Sequence, residues 1–231
     1  MAARLALVLL LVAGLRSCVR YEFEHEFWLD VDGSGRVNVT GRPDLWAAFK
    51  GLSADASEDA LEQRAREVFE RSGLRVRRVD VTHRRGRAYL FVAASFDDVN
   101  RLPGTPAFPD LRLALRPDGE RLRLEGVWAR PPSTRAATAE EDGLVAVRFH
   151  LPSKIYQHEN APDGVERGNI VGWRQDVAAA LRGGTLAFGA QLDRRSIFYS
   201  TVGLFAGAVV LALALLAAIV YFVRRKGQAS R

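Results

Sequence analysis

The longest uncharged stretch of the chain covers residues 197–223, and Arg224, Arg225 and Lys226 follow it directly. Because a helix rises about 1.5 Å per residue, this stretch reaches roughly 40 Å as a helix, more than the roughly 30 Å hydrocarbon core of a bilayer. The pattern predicts a transmembrane helix at 196–223 and a short basic tail at 224–231. A very long core helix of a soluble protein is the alternative.

Alternating apolar and acidic positions mark the start of the region between the two ends of the chain. Over residues 21–27, Tyr, Phe, His and Phe alternate with three glutamates, which predicts a half-buried strand. His25 falls on the apolar face, where we expect a core histidine whose ring nitrogens are satisfied. The turn residues 32–35 and a second alternating segment, 36–40, complete a hairpin.

Helical spacing follows the first hairpin. Residues 43–50 predict a short helix, and residues 57–72 predict a longer one that ends before Gly73. The apolar residues of the longer helix recur at helical spacing, at Leu61, Ala65, Val68 and Phe69.

The rest of this region repeats the hairpin pattern. One helical turn is predicted at 97–102, a mobile polar loop at 131–143, and a short helix at 175–181. Strands are predicted at 74–82, 87–96, 111–116, 121–128, 144–151, 169–174 and 185–192. The fold class is therefore α+β: a mostly antiparallel sheet of hairpins with one main packed helix, followed by a single C-terminal transmembrane helix.

The N-terminus has the pattern of an export signal. An apolar run at residues 5–15 is too short to span a bilayer but suits a signal peptide at 1–18. Cys18, the chain's single cysteine, follows Ser17 as in a bacterial lipobox, which predicts lipidation of Cys18. Arg16 departs from that pattern, so an ordinary cleaved signal is the alternative. Either signal places 19–195 outside the cytoplasm, the C-terminus inside it, and the protein in the cell membrane as a single-pass protein.

The net charge of +6 suggests nucleic-acid binding, but its distribution excludes that function. All 27 acidic residues lie within 19–195, and six of the 33 basic residues lie outside it. The exported region is therefore neutral, and the excess charge belongs to the two membrane signals. The tract Arg75-Val76-Arg77-Arg78 can contact anionic headgroups, although a solvated face is the simpler interpretation. Arginine outnumbers lysine tenfold, which is typical of GC-rich bacterial genomes.

The chain has no motif typical of catalysis. It contains no H-x-x-x-H pair, phosphate loop or nucleophile elbow, so we predict neither a metal nor a cofactor and expect no enzyme activity. The alternative is an envelope hydrolase that uses His150 and His158 with the nearby carboxylates Glu159 and Asp163.

The most individual segment runs from Asn160 to Trp173, with Asn160, Gly168, Asn169 and Trp173 at its turns and strand. With the membrane helix and the cysteine before residue 21, this Gly-Asn-x-x-x-Trp arrangement resembles the LppM-like family of bacterial envelope proteins. The resemblance implies a lipidated α/β envelope domain whose apolar surface contacts lipid or glycolipid. The four residues then either mark a ligand site or serve only as turn and core residues.

Four large aromatic residues are candidates for a binding groove. Trp28 falls on the glutamate face of the first strand, out of phase with its neighbours, and Trp46, Phe49 and Trp128 are its candidate partners. The alternative is that a helix covers them.

Together these patterns predict a non-catalytic, membrane-anchored envelope protein whose exported domain binds a lipid, a glycolipid or an envelope partner. A second prediction is a subunit of a membrane complex, or a homodimer, formed through the helix. Gly203 and Gly207 support it, because their G-x-x-x-G spacing brings transmembrane helices together.

Overall fold

The computed structural model describes residues 21–53, 57–132, 139–194 and 197–229, with the side chains of the last segment described at 202–219. The fold is α+β with two sheets. Its strands are β1 (Tyr21–Leu29), β2 (Gly35–Gly41), β3 (Arg75–Arg84), β4 (Arg87–Phe96), β5 (Leu111–Asp118), β6 (Arg121–Ala129), β7 (Leu144–His150), β8 (Ile155–Glu159), β9 (Val165–Glu166), β10 (Ile170–Asp176) and β11 (Thr185–Asp193).

The first sheet has seven strands in the order β3-β4-β2-β1-β7-β10-β9. The predicted hairpins β1–β2 and β3–β4 are present, and β2 and β4 pair to join them. At the centre, β1 and β7 run parallel, which the pattern of hairpins did not predict. The inward residues of β1, Phe23, His25 and Phe27, are fully buried because the rings of Phe49, Trp128 and Phe108 pack against that face from outside the sheet.

The second sheet has four strands in the order β5-β6-β11-β8. The hairpin β5–β6 was predicted, whereas β8 was not. After β7 the chain leaves the first sheet, pairs β8 with β11, and returns to the first sheet at β9 and β10. The segment read from sequence as a series of turns therefore connects the two sheets.

The predicted helices are present. Helix α1 covers Pro43–Lys50, α2 covers Glu58–Arg71, and the short α3 covers Val177–Leu181; the predicted turn after β4 is a 3-10 helix at Val99–Arg101. Ser57 caps α2 by accepting a hydrogen bond from the Ala60 backbone N–H. The apolar face of α2, Leu61, Ala65, Val68 and Phe69, is buried as its spacing predicted.

Aromatic side chains pack the two sheets together. Phe27 stacks on Phe149 at 5.0 Å within the first sheet, and Phe149 lies 5.4 Å from Phe188 of the second. Trp173 lies 5.6 Å from the same Phe188 ring. The core is thus a layer of rings between the inner faces of the sheets.

The prediction that Trp46, Phe49 and Trp128 line a groove was wrong, because all three side chains are completely buried. Helix α1 packs its apolar face against the inner face of the first sheet, and the Phe49 ring contacts Trp128 at 4.8 Å. Burial of the indole N–H groups is offset by hydrogen bonds: Trp46 donates to the Leu90 carbonyl, and Trp128 donates to Asp110.

The C-terminal helix α4 covers Ile197–Ala229. Its segment Val202–Ile219 has a mean hydropathy of 2.7 and is long and apolar enough to cross a membrane. None of that segment is buried against the rest of the protein. Gly203 and Gly207 lie on it with open space where a side chain would project, so they are available for helix contacts.

Some of the sequence-based predictions lie wholly or partly outside the described residues. The signal peptide at 1–18 and the lipidation of Cys18 lie wholly outside them, and the loop at 131–143 is described only at its two ends. At one end, Arg42 binds the loop: its guanidinium lies 2.7 Å from Asp142 and donates to the Glu140 carbonyl.

Candidate functional site

An open cleft of about 690 Å³ lies at one end of the outer face of the first sheet. It is lined by Trp28, Leu29, Asp30, Ser34, Gly35, Arg36, Arg75, Arg77, Ser95, Phe96, Asp97, His150, Leu151 and Asn169. Side chains from β1, β2, β3, β4 and β7 therefore converge on one place, which is the Trp28 cleft discussed below.

Trp28 lines this cleft between two other side chains of the lining because of the sheet register. It is paired with Arg36 on β2 and with His150 on β7, the two strands that flank β1. The Arg36 guanidinium lies 4.5 Å from the centre of the indole, and the His150 ring stacks on it at 4.6 Å with an angle of 16°. The out-of-phase tryptophan thus holds one cation and one imidazole on the outer face.

A glycine shapes the same end of the sheet. A Cβ on Gly35 would lie 2.1 Å from the Trp28 carbonyl oxygen, so only glycine fits this approach of the two strands. The tight turn between β1 and β2 brings Arg36 opposite Trp28 as a result.

Polar contacts extend from Trp28 along β1 and β7. The His150 Nε2 lies 2.8 Å from Glu26 Oε1, and Arg148 lies 3.7 Å from Glu24 and 3.9 Å from Glu26. Burial raises the pKa of Glu24 to about 7, a shift that Arg148 opposes and the neighbouring charge of Glu26 adds to. Glu24 is therefore a carboxyl group in this row whose charge changes near neutral pH.

Arginines of β3 form the far wall of the cleft. Arg75 makes two hydrogen bonds to the Asp97 carboxylate, at 2.7 and 3.0 Å, and Arg78 pairs with Asp80. Arg77 sits where the register of β3 against β4 shifts by one residue, between Val76 and Arg78.

A second polar cluster lies inside the core, away from the cleft. His25, Lys50 and Asp110 are all buried, and the Lys50 Nζ lies 2.9 Å from Asp110 Oδ1. Burial lowers the pKa of His25 well below its usual value, and the charge of Lys50 lowers it further. Burial also raises the pKa of Asp110 and lowers that of Lys50, and their mutual attraction opposes both shifts.

His25 is a core residue, as predicted, but its ring nitrogens are not satisfied. Neither has a hydrogen-bond partner in the described part of the chain, and Nε2 lies 3.5 Å from Asp110 Oδ2. The strand pattern located the side chain correctly; it carried no information about partners from distant segments.

The four residues of the Asn160–Trp173 segment have structural roles. Asn160 and Gly168 adopt positive φ at turns, 54° and 79°. The Asn169 side chain donates to the Leu151 carbonyl at 2.9 Å, and Trp173 is buried with its indole N–H donating to the Glu159 carbonyl. Asn169 alone of the four also lines the Trp28 cleft.

The two histidines of the hydrolase alternative lie on different sheets. His150 is on β7 and lines the Trp28 cleft, whereas His158 is an exposed residue of β8 beside a groove with Arg123 and Tyr156. Glu159 lies with His158, while Asp163 pairs with Arg174 at 2.7 Å. Among the described residues, no group of three or more His, Cys, Asp and Glu side chains is placed to hold a metal ion.

Several residues of the cleft and core cluster were missed from sequence. Arg36, Glu24 and Lys50 were assigned to predicted elements without a functional role, and Arg77 lay in a basic tract for which a solvated face was the simpler interpretation. The one available signal for the cleft was Trp28. Its position on the glutamate face of β1 was recognised from the sequence, but the residues that contact it were not.

Comparison with known proteins gives one weak likeness. No family model and no curated protein matches the chain. Among solved structures, the NMR structure of the folded domain of the Mycobacterium tuberculosis LppM protein is similar to it over 75% of this chain and 90% of that one, with 14% identity and a TM-score of 0.43. This likeness is weak and concerns the fold alone.

Proposed function

We propose that the protein is anchored in the cell membrane of the bacterial envelope by α4. Its folded domain then lies outside the cytoplasm and binds a lipid, a glycolipid or an envelope partner without catalysing a reaction. The observation that carries the proposal is the segment Val202–Ile219, which follows the last strand closely and is not buried by the domain. An apolar helix of this length is stable in a bilayer, where its backbone groups are satisfied internally.

The cleft supports binding over catalysis. Its charged groups lie along an open sheet face, and the two histidines proposed for a hydrolase do not share it. General acid–base catalysis needs its partners within hydrogen-bond reach of one substrate. An open face that combines an aromatic ring with arginines suits recognition of a polar group at a surface.

The membrane anchor is tested by extracting membranes from cells that express the full chain with alkaline carbonate. We expect the chain to stay in the membrane pellet. Leu211→Arg, which places a charge at the centre of the span at a cost of about 3 kcal/mol, should weaken retention, whereas Leu211→Ala should not. Release of the unaltered chain into the supernatant would contradict the proposal.

Orientation and ligand need separate measurements. Protease added to intact spheroplasts should digest the domain and leave a C-terminal tag protected. Mass spectrometry of solvent extracts from the purified full chain should show co-purified lipid, and removing that lipid should change tryptophan emission. Absence of both signals would argue against lipid as the ligand and favour a protein partner.

A further inference from the structure

We propose that the Trp28 cleft is a binding site for a phosphate-bearing anionic group, held by the guanidinium groups of Arg36 and Arg77. The inference deepens the proposed function and rests on it in one respect, namely that a membrane lipid is one source of such a group.

Arg36 is held in place by Trp28, but no carboxylate neutralises its charge within the described residues. Its guanidinium lies over the indole of Trp28 at 4.5 Å, and its side chain has no hydrogen bond or ion pair in the part of the chain that the structure describes. Stacking restricts the side chain while leaving its N–H groups available at the edge of the guanidinium plane. An arginine held this way loses less conformational entropy when it binds an anion.

Trp28 is itself held by a second contact. His150 stacks on the indole at 4.6 Å, and its Nε2 is fixed by Glu26 at 2.8 Å. The sheet register places Arg36 and His150 on the two strands flanking Trp28, so both side chains lie against the indole. The ring therefore serves to position Arg36.

Arg77 supplies a second available cation. The register shift in β3 makes it the extra residue between Val76 and Arg78, and bulges of this kind redirect side chains. Arg75 is occupied by Asp97 and Arg78 by Asp80, whereas the side chain of Arg77 has no ion pair or hydrogen bond within the described residues. The tract that looked like a solvated face thus contributes a free guanidinium to the cleft.

The remaining charges of the cleft favour an anion. Its carboxylates are Asp30 and Asp97, and Asp97 is already bound by Arg75 through two hydrogen bonds. The charges that are left are one carboxylate, Asp30, and two guanidinium groups, Arg36 and Arg77. A tetrahedral phosphate suits this arrangement, because each guanidinium can donate two parallel N–H groups to its oxygens.

The test uses the full chain in nanodiscs and the tryptophan emission that accompanies binding. Trp46, Trp128 and Trp173 are buried, so a change caused at the surface reports on Trp28. In discs of phosphatidylcholine alone, inorganic phosphate should shift the emission with saturation. In discs where about one lipid in five is phosphatidylglycerol, the shift should appear without added phosphate if a lipid headgroup is the source.

Substitutions separate specific binding from net charge. Arg36→Gln/Arg77→Gln should weaken the apparent affinity by about tenfold or more. Arg112→Gln/Arg116→Gln removes the same charge from exposed positions on β5 and should leave the affinity within about twofold. Trp28→Phe should abolish the optical signal.

The site is supported if either probe gives a saturating response and that response depends on Arg36 and Arg77. The probe that gives the response identifies the source of the phosphate group. The proposal is overturned if neither probe gives a saturable response. It is also overturned if the two double variants lose the same amount of affinity. Retention in carbonate-washed membranes is scored separately, so failure of the anchor and failure of the anion site are distinguishable.

Discussion

The Lys50 Nζ lies 2.9 Å from the Oδ1 of Asp110, with both side chains completely buried in the core. Lys50 ends α1, and Asp110 precedes β5 and accepts the indole N–H of Trp128, so the pair ties the helix to the second sheet. Lys50 also donates to the Ala107 carbonyl at 2.6 Å. Because each charge is out of water, either one alone would be costly.

Lys50→Met should therefore destabilise the domain by about 3–5 kcal/mol, since it leaves a buried carboxylate without its cation. Urea unfolding of the full chain in mild detergent, followed by tryptophan emission, measures the change. Lys154→Met makes the same substitution at an exposed position and should cost less than about 0.5 kcal/mol. Lys50→Met/Asp110→Asn keeps an acceptor for Trp128 and should recover much of the loss; no recovery would show that the charge pair is not the cause.

His25 should make the domain less stable in acid. Burial depresses its folded pKa below the usual 6.5, so the unfolded chain binds a proton that the folded one does not as pH falls through 6.5. The stability it contributes is present above that pH and is lost below it, by up to about 1.4 kcal/mol per pH unit. His25→Leu should remove this slope. Parallel pH dependence in the two proteins between pH 7.5 and 5 would contradict the assignment.

Glu24 should have the opposite dependence. Its pKa is raised from 4.5 to about 7, so the folded domain holds a proton that the unfolded chain releases between these values. The stabilising contribution is complete below pH 4.5 and is lost as pH rises through about 7. Glu24→Gln should accordingly become more stable than the wild type as pH rises across this window, and unfolding at pH 5 and 8 measures it. Glu120→Gln, at an exposed position in the β5–β6 turn, is the control.

The elements that sequence predicted well are those specified locally. The hairpin β5–β6 follows from its Pro-Asp-Gly turn, and α2 from its cap and apolar spacing. The strand β8 was missed because four of its five side chains are exposed, which leaves no alternation to detect. Its pairing with β11, like the parallel pairing of β1 with β7, joins segments that are separated in the chain.

The site was predictable only in part, for the same reason. Trp28 was visible as an apolar residue on a glutamate face, but its contacts with Arg36 and His150 depend on the registers of two different strand pairs. From the sequence, Trp46 and Trp128 were equally good candidates for a groove. In the structure both are buried by the packing of α1. The alternation of apolar and polar residues along one strand thus identifies a candidate surface residue. The residues that contact it are set by how that strand pairs with others, which the alternation does not show.

Arg42 should be a second site of high mutational cost. Its side chain is nearly buried; it lies 3.6 Å from the buried Glu22 and is bound by Asp142 at 2.7 Å and Asp44 at 3.1 Å. Arg42→Met removes a cation from several carboxylates and should cost about 3–5 kcal/mol in urea unfolding. The Glu140 amide, which donates to Asp44, should exchange its hydrogen faster.

The half-exposed Arg87 provides a control for Arg42. It contacts two of the same carboxylates, Glu140 and Asp142, from the solvent side. Arg87→Met should cost less than about 1 kcal/mol, because surface ion pairs are weak. Equal losses in the two variants would show that burial of Arg42 does not set its contribution.

The glycines of α4 give a prediction about assembly. Gly203 and Gly207 are four residues apart and have open space around their Cα atoms, so two helices can approach closely along this face. Gly203→Leu/Gly207→Leu should therefore weaken self-association of the full chain in detergent by about tenfold, measured by sedimentation equilibrium. Ala208→Leu/Ala212→Leu adds similar bulk on a different face of the same helix and should leave association unchanged. A monomeric wild-type chain, or equal weakening by both pairs, would show that the glycine face does not mediate a dimer.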